Sequence, residues 1–385
     1  MENSFESFFI GGFECSSHRR GDDRRVDVIA SSQHERFALQ DYLRLAEIGM
    51  LTARDGVRWH LVEKTPYEYD FSSVEIQIKA AQKANVQVIW DLFHYGFPDD
   101  LDLMSEEFIL RFAAFAKRFT EFLHDKGNVK PYLCLANEIS FFAWIAGEVG
   151  GWYPFLKFRG DDVKRQLVKA TIAAAREIKE IAPEAVLIQT DPVINVAPSH
   201  GDPQNVIHAR NFHQAQYYAL DLLLGLSEPE IGGNSEIIDL IGVNYYSQNQ
   251  WRHPSRRRLQ RGAKDYKPFS RILRECYERY RKPIFVAETG IEDKARPDWF
   301  RYICAEVAIA LEEGIPVRGI CLYPILNHPG WDDNRHCYNG LWDYADENGQ
   351  RAIYQPLAEE IRIQSEIFKN PAVKNAGTNF KNEKI

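Results

Sequence analysis

The stretch from Lys282 to Leu326, KPIFVAETGIEDKARPDWFRYICAEVAIALEEGIPVRGICLYPIL, holds one full repeat of the pattern that decides the fold. KPIFVAETG is an apolar run closed by polar residues. Asp298 to Glu313 then spaces its apolar residues as a helix does, and VRGICLYPIL is a second apolar run. Apolar runs without alternation predict strands covered on both faces, as parallel strands are. The same pattern repeats toward the N-terminus. Strand candidates are Phe8–Glu14, Met50–Trp59, Asn85–Gly96, Pro131–Ser140, Ala185–Val193 and Ile237–Ser247. Helix candidates follow them at Ala38–Ile48, Val74–Ala84, Ser105–Lys126, Asp162–Ile181, Asn205–Gly225 and Lys267–Arg281, and Gln355–Lys369 is the last. Eight strand candidates, each followed by a helix candidate, predict an α/β fold, a single closed (β/α)8 TIM barrel. The domain is expected over residues 1–370, with the barrel running from about Phe8 to Lys369. Residues 371–385 read as a polar C-terminal tail. An open doubly wound sheet is the alternative. It calls for a glycine-rich phosphate loop after the first strand, and no GxGxxG or GxxxxGK[ST] occurs.

The 385 residues carry 55 acidic and 47 basic side chains, net −8. That balance argues against a nucleic-acid partner, which selects a basic excess. No apolar run approaches the ~20 residues of a membrane span. The opening MENSFESFFIGGFEC has neither a basic start nor a long apolar core. The six cysteines are scattered, with no CxxC pair. These features lead us to expect a cytoplasmic protein with reduced, mostly buried thiols. No motif implies a cofactor, and oligomeric state is not legible.

A barrel carries its active site at the C-terminal ends of its strands. Two glutamates stand at such ends, Glu138 after PYLCLAN and Glu288 after PIFVA. A carboxylate closing an apolar strand costs several kcal/mol to desolvate unless it has partners. Either one alone could be a salt-bridged residue closing the mouth. As a pair on strands four and seven they would face each other across it. Paired carboxylates across a sugar-sized cleft are what glycoside hydrolysis requires, one protonated and one ionised. Arg54 would favour the charged form of a nucleophile, a tyrosine hydroxyl could hydrogen-bond it, and Asn137 could bind a sugar hydroxyl. Trp144, Trp152, Trp251 and Trp331 follow strands four, six and eight, where sugar rings could stack on them or where they simply pack long loops.

These residues resemble those of clan A retaining glycoside hydrolases, most of all glycoside hydrolase family 1, the β-glucosidase-like enzymes. GMLTARDGVRW resembles that family's strand-two segment, matching its arginine to Arg54. LFHYGFP resembles "YHWDLP", matching the sugar-binding histidine to His94. LANEIS is similar to "TFNEP", matching Asn137 and the acid/base to Glu138. IGVNYYS is similar to "IGxNYY", matching Asn244 and the nucleophile-contacting tyrosine to Tyr246. VAETG resembles "ITENG", matching the nucleophile to Glu288. YNGLWDYAD resembles "RFGLVYVD". The chain departs from the family at Ile139, where proline stands, and at Thr289, where asparagine stands. The "SYQ" ligand is matched loosely by Ser17-His18-Arg19, so His18 and Arg19 are candidate sugar contacts. The "FEW" clamp is matched by NHPGW, which leaves Trp331 and no glutamate. Trp152 and Trp251 are candidates for the aglycone side.

The resemblance implies a retaining β-glycosidase, β-glucosidase- or β-galactosidase-like, acting on a small glycoside or oligosaccharide without cofactor or metal. A transglycosidase of the same fold is one alternative, with the basic Arg256-Arg257-Arg258 loop recognising an anionic acceptor. A non-catalytic carbohydrate-binding protein is another, suggested by the altered pocket motifs. A metal-dependent barrel hydrolase calls for HxH or HExxH, and the eleven histidines contain neither.

Overall fold

The computed structural model describes residues 5–199 and 203–369. The expected tail, 371–385, lies outside the described residues. The barrel strands are β1 (Phe9–Gly12), β2 (Thr52–Gly56), β3 (Gln87–Asp91), β4 (Tyr132–Asn137), β5 (Val186–Pro192), β6 (Leu240–Asn244), β7 (Ile284–Thr289) and β8 (Val317–Leu322). They close in the order β1-β8-β7-β6-β5-β4-β3-β2, with every neighbouring pair parallel. The outer ring is α1 (His34–Glu47), α2 (Ser72–Ala84), α3 (Glu106–Asp125), α4 (Gly160–Ile181), α5 (Tyr218–Leu223), α6 (Phe269–Tyr280), α7 (Arg296–Glu312) and α8 (Gln355–Lys369). All eight strands fall inside the stretches expected from the sequence. The expected helix at 205–225 is instead two, Pro203–Ala215 and α5. Short strands Asn195–Pro198 and Gln250–His253 pair outside the barrel, and Ile139–Glu148 continues β4 as a helical turn.

Side chains sort by strand face. On β7, Ile284 and Val286 join the core between strands and helices, while Phe285 and Ala287 join a second cluster inside the barrel. That inner cluster takes Ile10, Ile89, Cys134, Ile188 and Leu240 from other strands. Phe5 packs below it, its ring 5.7 Å from Tyr132 and 5.3 Å from Phe285. The helices show matching stripes. In α3, Ser105 caps the first turn by accepting from the Phe108 N–H, and Glu106 and Glu107 meet the positive end of the helix dipole. Phe108, Phe112, Phe115 and Phe119 bury one face.

Two strands break the alternation at the mouth, where the two glutamates stand. The β6–β7 register runs Val243 to Val286, then Asn244 to Glu288, so β7 holds one surplus residue. With Ala287 facing inward, strict alternation would send Glu288 outward. The bulge lets it turn to the mouth, while Thr289 accepts a hydrogen bond from Trp299 of α7 at 2.9 Å. On β4 the register shifts between Cys134 and Asn137. Leu135 and Ala136 both join the outer core, and Asn137 then bonds with groups of the interior.

Candidate active site

Arg54 of β2 is fully buried at the top of the barrel interior. Its Nε and Nη2 donate to the two oxygens of Asp91 at 3.0 and 2.7 Å, and Nη1 donates to Glu288 Oε1 at 2.8 Å. Nη2 also donates to Asn137 Oδ1 at 2.7 Å. A buried guanidinium is tolerated only when its donors are spent this way. Burial pushes the Asp91 carboxyl up, but Arg54 and His94 reverse this and hold it below the usual range.

Glu288 is 3% exposed and Glu138 is 9% exposed. Glu288 takes Arg54 on Oε1 and the Tyr246 hydroxyl on Oε2 at 2.8 Å. Burial raises its carboxyl above the usual range, and Arg54, His94 and Tyr246 pull it only part of the way back, with Glu14 opposing them. Among the described residues no cation is bonded to Glu138. Its Oε2 accepts from the Tyr95 hydroxyl at 2.6 Å and its Oε1 from Asn244 Nδ2 at 2.9 Å. Burial, then the Glu288 charge, push it up to about 8. The two carboxyls are coupled, and the one beside Arg54 ionises first. Burial and these carboxylates push the Tyr95 and Tyr246 phenols well up, so both remain donors. Glu138 also holds a left-handed backbone, φ +48°, an uncommon conformation for a residue with a Cβ.

Asn137 is the hub. Its Oδ1 accepts from Arg54, from Thr190 Oγ1 at 2.8 Å and from Asn244 Nδ2 at 3.3 Å. Its Nδ2 donates to Tyr95 Oη and to His94 Nε2, both at 3.0 Å. With Nε2 accepting, His94 donates from Nδ1 to Asp91 at 2.8 Å. Burial pushes this imidazole down, and Asp91 and Glu14 more than reverse it, so protonation is raised.

Arg54, His94, Asn137, Glu138, Asn244, Tyr246 and Glu288 thus form one network. Other candidates sit differently. His18 is buried against Trp152, rings 3.6 Å apart, and burial pushes it down to about 3. Trp152 is itself buried, and its Nε1 donates to Asp332 at 2.9 Å, tying two loops over the mouth. Trp331 lies beside His328 with Nε1 buried and unpartnered. Arg19 is not brought to the carboxylates. Asp23, Asp99 and the Tyr153 ring engage its guanidinium. Trp251 sits in the short Gln250–His253 strand and bridges to Arg258. Its place is that outer ribbon, because Asn195–Pro198 captures the strand.

Tyr95, Asp91, Glu14 and Cys15 belong to the network without having been singled out. Tyr95 and Asp91 flank His94 in DLFHY, which was the available signal. Among the described residues, Cys15, Asp91 and His94 alone bring three metal-ligand atoms together. Asp91 spends both oxygens on Arg54, whose charge repels a cation. Cys15 Sγ lies 3.1 Å from His94 Nδ1, and burial pushes the thiol well up. Hydrogen bonding accounts for the trio.

The fold and mouth define a (β/α)8 barrel with two opposed buried glutamates. Solved structures carry the likeness further. The chain is similar to the β-glucosidase from Thermotoga maritima in complex with glucoimidazole (TM-score 0.77, 16% identity, 96% of this chain and 98% of that one). It is likewise similar to the family 1 β-glucosidase from that organism (0.75, 17%, 97% and 99%), also in complex with isofagomine lactam (0.76, 16%, 98% and 99%). The chain is a divergent member of the fold of the family 1 β-glucosidases. No protein-family model matches it, and no curated protein does.

Proposed function

We propose that the protein is a retaining β-glycosidase that removes a terminal sugar through a covalent glycosyl-enzyme. The observation that carries this is the unequal treatment of two coupled buried glutamates. Burial raises both, but Glu288 has Arg54 and Tyr246 to hold its charge, while Glu138, with no cation bonded to it among the described residues, is raised to about 8. Two carboxyls pushed apart in this way assign acid and nucleophile. Glu288 attacks the anomeric carbon, and the bond to the leaving oxygen breaks as Glu138 gives that oxygen its proton. Glu138, now an anion, takes a proton from water, which displaces Glu288 in the second step. Tyr95 and Asn244 stabilise the Glu138 anion between the steps. His94 and Asn137 line the sugar side, each through a nitrogen already shared within the protein.

The test is intact mass after incubation with 2-deoxy-2-fluoro glycosides bearing good leaving groups. One glycosyl adduct, mapped to the peptide holding Glu288, is expected. A Glu288→Gly variant should take no label and lose several orders of magnitude in turnover. Inverted product stereochemistry would overturn the reading. Sugar binding with no adduct from any glycoside would make the protein a binding module instead.

A further inference from the structure

We propose that Glu14 is the anionic anchor of the sugar pocket, and that the sugar it receives carries an ammonium group. The proposal rests on the glycosidase reading and names its substrate class: glycosides of amino sugars.

Glu14 follows β1, is 4% exposed and has no part in the double displacement. Its Oε1 accepts one hydrogen bond, from the Ser16 N–H at 2.9 Å. Its Oε2 accepts none among the described residues. A buried carboxylate with a single neutral hydrogen-bond donor keeps acceptor capacity that a cationic ligand can use. The nearest cationic candidate is His94, with Nε2 3.6 Å from Oε1. That is beyond hydrogen-bond length. His94 already serves Asp91 through Nδ1 and accepts from Asn137 at Nε2. Arg54 is no partner either, since its donors go to Asp91, Glu288, Asn137 and the Ala287 carbonyl.

The formal charge agrees. With Glu138 protonated, Glu14, Asp91 and Glu288 face Arg54 alone, and the pocket sums to two negative charges. Protonating His94 still leaves one. A neutral sugar relieves none of this. An ammonium donates to the free Glu14 oxygen and cancels one charge.

A second observation points the same way. From Glu14 the segment runs on through Ser16 and His18, both buried. Among the described residues the Ser16 hydroxyl has no hydrogen-bond partner, while His18 meets the Trp331 backbone. Ser16 is held beside Glu14 by its own N–H. Across the mouth, Asn244 keeps Oδ1 buried and unpartnered beside Glu138. The Ser16 hydroxyl and Asn244 Oδ1 are polar, desolvated and unspent, which is costly unless a ligand meets them.

The test is equilibrium binding of the full chain to methyl β-glucoside, methyl β-galactoside and their monoamino-deoxy counterparts with the amine at C2, C3, C4 or C6. At least one amine should bind tenfold or more tighter than its parent, and its N-acetyl derivative should lose that advantage. In Glu14→Gln, an isosteric change that removes the charge, the amine-to-parent ratio should collapse to within about threefold. On the wild type alone, the ratio should fall as pH rises through the pKa of the ligand's amine, so the test survives if the variant fails to fold. No amine bettering its parent would overturn the proposal, as would a preference that persists in Glu14→Gln. Parents bound without amine preference sink this inference alone. No binding of either kind sinks the glycosidase reading with it.

Discussion

Tyr95→Phe removes one oxygen from the mouth and should move the alkaline limb of the pH–rate profile upward. The Tyr95 hydroxyl donates to Glu138 Oε2 at 2.6 Å, and that bond favours the carboxylate over the acid. Glu138 is raised to about 8 despite it. A hydrogen bond to a charged group is worth about 1.5–3 kcal/mol, and one pKa unit is about 1.4 kcal/mol. Losing the bond should lift Glu138 by about one to two units. In the proposed mechanism the acid form acts in the first step, so kcat/KM should now hold to higher pH before it declines. The profile of kcat/KM reports groups of the free enzyme, which is the state described here. The assay is release of an activated aryl glycoside from pH 5 to 10.5, with thermal melts showing that the variant stays folded. An alkaline limb that stays put or moves down would refute the assignment of Glu138 as the acid held by Tyr95.

Other expectations follow from buried charges and from the rim. Arg54→Met strands Asp91 and Glu288, and should cost about 3–5 kcal/mol in urea unfolding; a loss under 1 kcal/mol would contradict the network. His34 lies between Asp41 and Asp55, 2.9 and 3.0 Å away. Burial opposes its charge, but the two carboxylates raise it to about 9. A folded pKa above the unfolded 6.5 gives stability that is full below about pH 6.5 and lost as pH rises through 9, about 3 kcal/mol in all. The stability gap between wild type and His34→Gln should therefore shrink across that window, and a constant gap would rule the protonated His34 out. Asp332→Ala unties Trp152 and should raise KM severalfold at nearly constant kcat; an unchanged KM would show that this tie does not shape the mouth.

The barrel was legible because buried parallel strands are written as unbroken apolar runs, and the glutamates because they end two of them. The bulge before Glu288 was not, since register exists only between strands. Tyr95 was hidden in the aromatic run FHYGF, where Phe93 and Phe97 pack against Phe108 and Tyr95 alone reaches Glu138. Arg19 is a candidate because Ser17-His18-Arg19 loosely matches the "SYQ" ligand, a motif that does not show what surrounds the guanidinium. Asp23, only four residues on, is the partner that claims it. Trp251 is a candidate because it follows strand six, but its strand pairs with Asn195–Pro198, a partner too far along the chain for local pattern to show. Glu14 is visible as a strand end, and the lack of a hydrogen bond to it from His94 or Arg54 is not.

Asn137 has a consequence for how this protein comes into being. One amide oxygen gathers donors from Arg54 of β2, Thr190 of β5 and Asn244 of β6 onto β4. Four staves of the barrel are thereby pegged at a single atom, at the height where bond-breaking would occur. A half-built barrel missing any of these strands lacks a donor or the oxygen itself, and Arg54 then loses its aim at Glu288. The arrangement of the site and the closure of the barrel thus depend on the same atom.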